Sequence, residues 1–312
     1  MRFLVLGAGA LGGFFGGKLL KGGADVTFLV RPGRAAQLQR DGLIVKSQDW
    51  EIRTPVKIIQ QGQIDGPFDV ILLSCKAYDL DSAMTAITAA VGPQSVILPM
   101  LNGIRQIDLL KDRFGVDKVL GGLVAVNTVL MPDGSIEQSP VRVNLPAFPF
   151  GELDGSRSQR CEGIKSAFDA GDITTEISGN ILASMWMKFF LVACLFTIAS
   201  LTRSRAGTIA RSTTSPSFVS AVIDECARIM TAEGFPPPAY TPNMVRGFFS
   251  QPASSYGPSL LVDMEEGRAT EGEHIVGDLV SRAARRGVGA PVLTAALCNL
   301  QAYEINRSQR SA

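Results

Sequence analysis

The chain has 312 residues, 46% hydrophobic and 19% charged, enough for one large domain or two ordinary ones with cores of their own. Thirty Lys and Arg against 29 Asp and Glu leave a formal net charge of +1. That balance excludes a polyanion-binding surface as the dominant feature, and it excludes an acidic, disordered chain. The single histidine, His274, argues against a His-based zinc site or a Ser-His-Asp relay, and no metal site is expected. Cys75, Cys161, Cys194, Cys226 and Cys298 show no C-x-x-C spacing and sit in or beside apolar runs. They read as buried hydrophobes of a protein from a reducing, cytoplasmic setting.

Residues 2–6 form a short apolar run that predicts a strand. The basic start and apolar middle also resemble an export signal, but glycines at 7, 9, 12, 13, 16 and 17 weaken a signal helix. A helix is expected over 11–21 and strands over 25–30, 69–74 and 95–98, with a helix at 80–91 closed by Gly92-Pro93. The strands at 69–74 and 95–98 are near-continuously apolar, which means burial on both faces and a parallel sheet covered by helices. Strands are also expected at 123–130, 141–144 and 147–150, with a short run at 173–177. From about Ile181 the pattern turns helical. The 13-residue run 189–201 falls short of the ~20 residues that span a bilayer and reads as a core helix. Further helices are expected at 218–233, 275–286 and 291–305. The fold class is therefore α/β: a Rossmann-type doubly wound sheet over 1–178, followed by an all-helical domain over 179–312.

The chemistry begins at the first turn. Gly7-Ala8-Gly9-Ala10-Leu11-Gly12 is G-x-G-x-x-G between a strand and a helix. In that context the glycines permit a tight turn, close approach of a pyrophosphate and close helix–strand packing, and the anion meets the positive helix end. Proteins that bind NAD commonly carry an acid at the end of the second strand. Here that place holds Arg31, with Arg34 nearby and no acid over 30–39. A guanidinium suits a 2′-phosphate, so NADP(H) is expected over NAD(H), with Lys76 just past the strand at 69–74 as a second cation. Asn102-Gly103 follows the strand at 95–98 and reads equally as a turn or as part of the carboxyl-end crevice. Lys188 lies in Met185-Trp186-Met187-Lys188-Phe189-Phe190, where burial would lower its pKa from about 10.4 and make it a proton donor near neutral pH. Glu271, in Thr270-Glu271-Gly272-Glu273, would bond a substrate hydroxyl or steady Lys188, or else favour the start of a helix. His274 reads as a packed or surface histidine.

Together these residues resemble the ketopantoate reductase (2-dehydropantoate 2-reductase) family. The resemblance rests on FLVLGAGALGG, Arg31, Ser74-Cys75-Lys76-Ala77, Leu101-Asn102-Gly103, Trp186-Met187-Lys188-Phe189 and a Ser259…Thr270-Glu271 segment, and it covers nearly the whole chain. It implies an N-terminal Rossmann domain, a helical C-terminal domain and a cleft between them. It also implies NADPH as hydride donor to ketopantoate, giving pantoate for pantothenate biosynthesis. By motif match Lys188 would protonate the carbonyl oxygen, and Glu271 would orient the substrate hydroxyl and the nicotinamide ribose. Asn102 would sit beside the nicotinamide and the lysine, Ser259 would bond the substrate carboxylate, and Arg31 and Lys76 would hold the 2′-phosphate. The glycine turn, residues 7–12, would take the pyrophosphate. Three positions depart from the family: Val192, Phe196 and Ala206 stand where asparagines are usual. Each lost amide contact to a polar substrate costs about 1–3 kcal/mol. Two other readings therefore stay open: a reductase of a different, less polar 2-oxo acid or ketone, and a non-catalytic NADP sensor. The expected partner is a small-molecule 2-oxo acid, with no nucleic acid and no membrane, in a monomer or homodimer.

Overall fold

The computed structural model describes residues 1–139 and 146–310; the strand expected at 141–144 lies outside the described residues. The chain divides into two compact units, Met1–Leu101 with Gln106–Leu182, and Asn102–Arg105 with Ala183–Ala312. The first unit thus runs slightly past Ser178, because the junction falls inside the first turn of a long helix that starts at Ile181.

The first unit is built on a five-stranded parallel sheet. Its strands are β1 (Arg2–Leu6), β2 (Asp25–Leu29), then β3 (Leu43–Lys46) and β4 (Glu51–Thr54) outside it, β5 (Lys57–Ile59), β6 (Val70–Leu73) and β7 (Val96–Pro99). The sheet order is β5-β2-β1-β6-β7. Every residue of β6 and β7 is buried, as expected of central strands covered on both faces. The order reverses beside β1, where Leu6 pairs with Leu29 on one side and Leu73 on the other. A doubly wound sheet offers its ligand crevice at that switch point.

The helices α1 (Ala10–Lys21), α2 (Pro32–Asp41), α3 (Leu80–Ile87), α4 (Arg105–Phe114) and α5 (Gln159–Ala170) connect and cover the strands. Glycine suits α1 because it lies close on its neighbours: a Cβ at Gly16 would come within 2.4 Å of Phe28. The rings of Phe15, Phe148, Phe150 and Phe168 pack with centroids 5.1–6.2 Å apart, locking α1 and α5 to one core.

The run expected as one strand over 123–130 is broken. Its neighbourhood supplies β8 (Leu120–Gly122) and β9 (Asn127–Leu130), which join different sheets. β8 pairs with β11 (Phe148–Glu152), which also pairs with β12 (Thr175–Ile177). β9 pairs with β10 (Ile136–Ser139), which in turn pairs with β3. Two partners pull the segment in two directions, and apolarity along the chain does not record that.

The second unit is helical: α6 (Ile181–Thr202), α7 (Ala206–Ala210), α8 (Ser215–Ala232), α9 (Thr241–Phe248), α10 (Ser259–Glu265), a π-turn over Glu273–Gly277, α11 (Asp278–Arg286) and α12 (Pro291–Arg310). At 22 residues α6 extends well beyond the apolar run 189–201 and is long and apolar enough to cross a membrane. Lys188 sits inside the helix without ending it. What distinguishes α6 is burial, since 61% of its most apolar stretch is packed inside the protein. Trp186 stacks on Phe235 at 4.9 Å, and the Arg282 guanidinium lies 5.2 Å from its ring. Arg282 is itself held by Asp278 at 2.9 Å and Glu233 at 2.8 Å. The buried Glu225 of α8 accepts the main-chain N–H groups of Val292 (3.2 Å) and Leu293 (2.7 Å), capping α12 from another helix.

Candidate active site

In the first unit a cavity of about 680 Å³ opens at the carboxyl ends of β1, β2 and β6. Its lining includes Gly7, Ala8, Gly9, Arg31, Ser74 and Asp79. The three glycines of the turn do different things. Gly7 has φ +91°, a left-handed conformation that a side chain disfavours, and its N–H donates to the Leu29 carbonyl at 2.9 Å. A Cβ at Gly12 would stand 2.1 Å from the Gly7 oxygen and 2.2 Å from Ser74 Oγ, so packing forbids one. A Cβ at Gly9 would meet nothing within 4 Å. No protein contact requires glycine there, and the bare position is what a ligand lying on the backbone needs. The turn leads into α1, which has no side-chain cap and no acid in its first turn, leaving its first N–H groups to an anion. An uncapped helix start, an open Gly9 and a neighbouring guanidinium fit a dinucleotide's phosphates.

Of the expected cations, Arg31 follows β2 and lines this cavity, its Nη2 2.8 Å from Asp79 Oδ1. Lys76 is exposed and precedes the 3₁₀ turn Ala77–Asp79 that leaves β6. Arg34 also lines the cavity, but its Nε and Nη1 are committed to protein oxygens. Its Nε donates to the Ala8 carbonyl (2.9 Å), and its Nη1 donates to the Gly134 carbonyl (2.9 Å) and Gln37 Oε1 (2.6 Å). Arg34 is thus a clasp on the glycine turn, a task that its sequence position does not reveal.

The second unit brings together four of the residues singled out above. Lys188, on α6, retains some exposure, yet burial pushes its pKa down to about 8, with Glu271 pulling it back up. Glu271 is itself buried, at 8% exposure. Its segment is pinned from behind. The main-chain N–H and hydroxyl of Thr270 both donate to Glu304 Oε1 at 2.8 Å, and a Cβ at Gly272 would press within 2.8 Å of Leu300. Asn102 and Gly103 belong to this unit, not to the sheet they follow. Gly103 has φ +91°, and a Cβ there would lie 3.1 Å from Ile275 and 3.3 Å from the His274 ring.

His274 therefore has a place that its isolated position in the chain did not signal. It is buried, and burial pushes its pKa down to about 4. Glu271 and a hydrogen bond to the Asn102 main chain favour its charged form, while Arg105 opposes it. A neutral imidazole thus braces the Asn102 turn next to Glu271. Ser259 opens α10 and is exposed. Val192 and Phe196 follow Lys188 at helical spacings of four and eight, on one face of α6. Val192 is half-buried, and Phe196 and Ala206 are buried.

Two family models match the chain: "Ketopantoate reductase PanE/ApbA" over residues 3–149 and "Ketopantoate reductase PanE/ApbA C terminal" over 180–304. An uncharacterized oxidoreductase of Bacillus subtilis, YkpB, is 35% identical over 98% of this chain and 100% of its own length. A 2-dehydropantoate 2-reductase of Pyrococcus abyssi is 26% identical, covering 94% of each chain. Among solved structures, a D-mandelate dehydrogenase with NADH and anilino(oxo)acetate shares the fold at a TM-score of 0.85, with 18% identity over 99% of both chains.

Proposed function

The chain belongs to the ketopantoate reductase PanE/ApbA family of NADP-dependent oxidoreductases acting on a CH–OH/C=O group, and within it we propose that this protein reduces a 2-oxo acid. The substrate proposed first is 2-dehydropantoate, giving pantoate on the route to pantothenate in the cytoplasm. The observation that carries this reading is an ammonium on α6 whose pKa is held near 8, beside a buried carboxylate. A proton donor is most useful when its pKa lies near the working pH.

Bound NADPH supplies the hydride. Lys188 donates the proton to the carbonyl oxygen, where charge builds during reduction. Glu271 keeps that ammonium charged and in place, and it accepts the substrate hydroxyl and the nicotinamide ribose. Asn102, braced by His274, orients the nicotinamide end, and Ser259 bonds the substrate carboxylate. Residues 7–12 take the pyrophosphate, and Arg31 and Lys76 take the 2′-phosphate.

A second substrate reading rests on α6. Val192 and Phe196 continue the face of Lys188 and have no hydrogen bonds to offer. An apolar face favours a larger or less polar 2-oxo acid. Steady-state assays with NADPH and a panel of 2-oxo acids separate the two: 2-dehydropantoate turning over no faster than aromatic or branched 2-oxo acids removes it as the substrate. Lys188→Ala tests the chemistry. It should abolish most turnover with every substrate while NADPH still binds; undiminished turnover would refute the role of Lys188.

A further inference from the structure

The cavity over the glycine turn contains a cation that is already engaged. Arg31 Nη2 stands 2.8 Å from Asp79 Oδ1, and both residues line the same cavity. The Arg31 side chain is 76% exposed and that of Asp79 is 30% exposed, so the guanidinium is accessible while its acid lies deeper. Parallel register brings them together, since Leu6 pairs with Leu29 and with Leu73 and the chains leaving β2 and β6 emerge on either side of β1. The backbone of Asp79 is fixed by its N–H, which donates to the Lys76 carbonyl at 2.9 Å, and by its carbonyl, which accepts the Ser82 hydroxyl at 2.8 Å. Arg34 lines the cavity too, but Ala8, Gly134 and Gln37 hold its Nε and Nη1 and its Nη2 is buried, so the guanidinium that pairs with the acid is that of Arg31.

An acid near the ribose and a cation near the ribose favour opposite ligands. A 2′-phosphate needs Arg31 and is repelled by a carboxylate. A 2′-hydroxyl is a donor, and a carboxylate accepts it. We infer that Asp79 is a specificity-determining residue: it holds Arg31 in the cavity, competes with a 2′-phosphate for that guanidinium and offers an acceptor to a 2′-hydroxyl, which narrows the preference for NADPH over NADH. The inference rests on the cofactor reading above and adds to it a residue on the opposite strand end that sets the margin.

The test is calorimetric binding to the full chain of NADPH and NADH, and of adenosine 2′,5′-bisphosphate and AMP as probes of the adenosine end alone. Asp79→Asn keeps the shape and removes the charge. Asp79→Ser is the second variant, since Ser also suits the first position before α3, in case the amide disturbs folding. Each should tighten NADPH and the bisphosphate by about two- to fivefold, the upper part of the range of a partly exposed charge pair. NADH and AMP should bind equally or a few-fold more weakly. A ratio of NADPH to NADH affinity unchanged within about twofold in both variants would overturn the role of Asp79. Binding of none of the four ligands by the parent protein would overturn the cofactor reading itself, and this inference with it.

Discussion

Replacing Gly9 and Gly12 separately by Ala should separate ligand binding from stability at one turn. A Cβ at position 12 would lie 2.1 Å from a backbone oxygen, Gly7 O, and 2.2 Å from Ser74 Oγ. The backbone oxygen cannot swing away as a side-chain tip does, so overpacking costs about 1–3 kcal/mol. Ser74 must also yield its 2.7 Å bond to the Leu6 carbonyl, worth about 1 kcal/mol. The sum, about 2–4 kcal/mol, lowers the melting temperature by about 4–16 °C for a unit of this size. At Gly9 a Cβ meets nothing, and its φ of −79° suits alanine. Gly9→Ala should therefore melt within about 2–4 °C of the parent, since a tolerated Gly→Ala change shifts stability by less than about 1 kcal/mol. It should nevertheless raise the Kd for NADPH about tenfold or more, because a methyl group stands where the pyrophosphate must approach. Differential scanning calorimetry and fluorescence titration of NADPH read the two effects. Equal melting losses in both variants, or an unchanged NADPH Kd in Gly9→Ala, would refute this division of labour.

Other expectations concern the helical unit. Lys188 has a lowered pKa in the folded chain, so between about pH 8 and 10.5 the unfolded chain holds a proton that the folded one sheds, and stability rises with pH there. Below pH 8 the penalty is complete, and Lys188→Met should be more stable than the parent by at most about 3 kcal/mol in urea unfolding at pH 7, an advantage that disappears by pH 10.5. For the same reason the rate of reduction should fall as pH rises through about 8, and a flat profile to pH 10 would count against a lysine acid. His274, with its pKa near 4 against an ordinary 6.5, costs stability as pH falls through that interval, so His274→Gln should flatten the acid limb of the stability curve. Removing the acceptor of two helix-start N–H groups with Glu225→Ala should cost about 2–3 kcal/mol, while Glu225→Gln, which keeps one oxygen, should cost less. Equal thermal shifts for the two Glu225 variants would argue against the cap.

Several features were determined by the chain alone because each depends on neighbours in sequence. The glycine turn needs only a strand before it and a helix after it. Parallel pairing follows from the unbroken apolarity of Val70–Leu73 and Val96–Pro99, which no half-exposed strand tolerates. The apolar setting of Lys188 is legible in Trp186, Phe189 and Phe190 beside it, although the burial that lowers its pKa is set by the fold. Tertiary structure alone decided what depends on residues far apart. It turned Arg34 onto Ala8 and set Asp79 against Arg31. It gave Asn102 and Gly103 to the helical unit, where His274 braces them, although they directly follow a sheet strand. It paired β3 with β10 and divided 120–130 between two sheets. A local pattern records which face of a segment is apolar. It does not record which distant group meets that face, and charge partners, pairing and pKa shifts are set by those meetings.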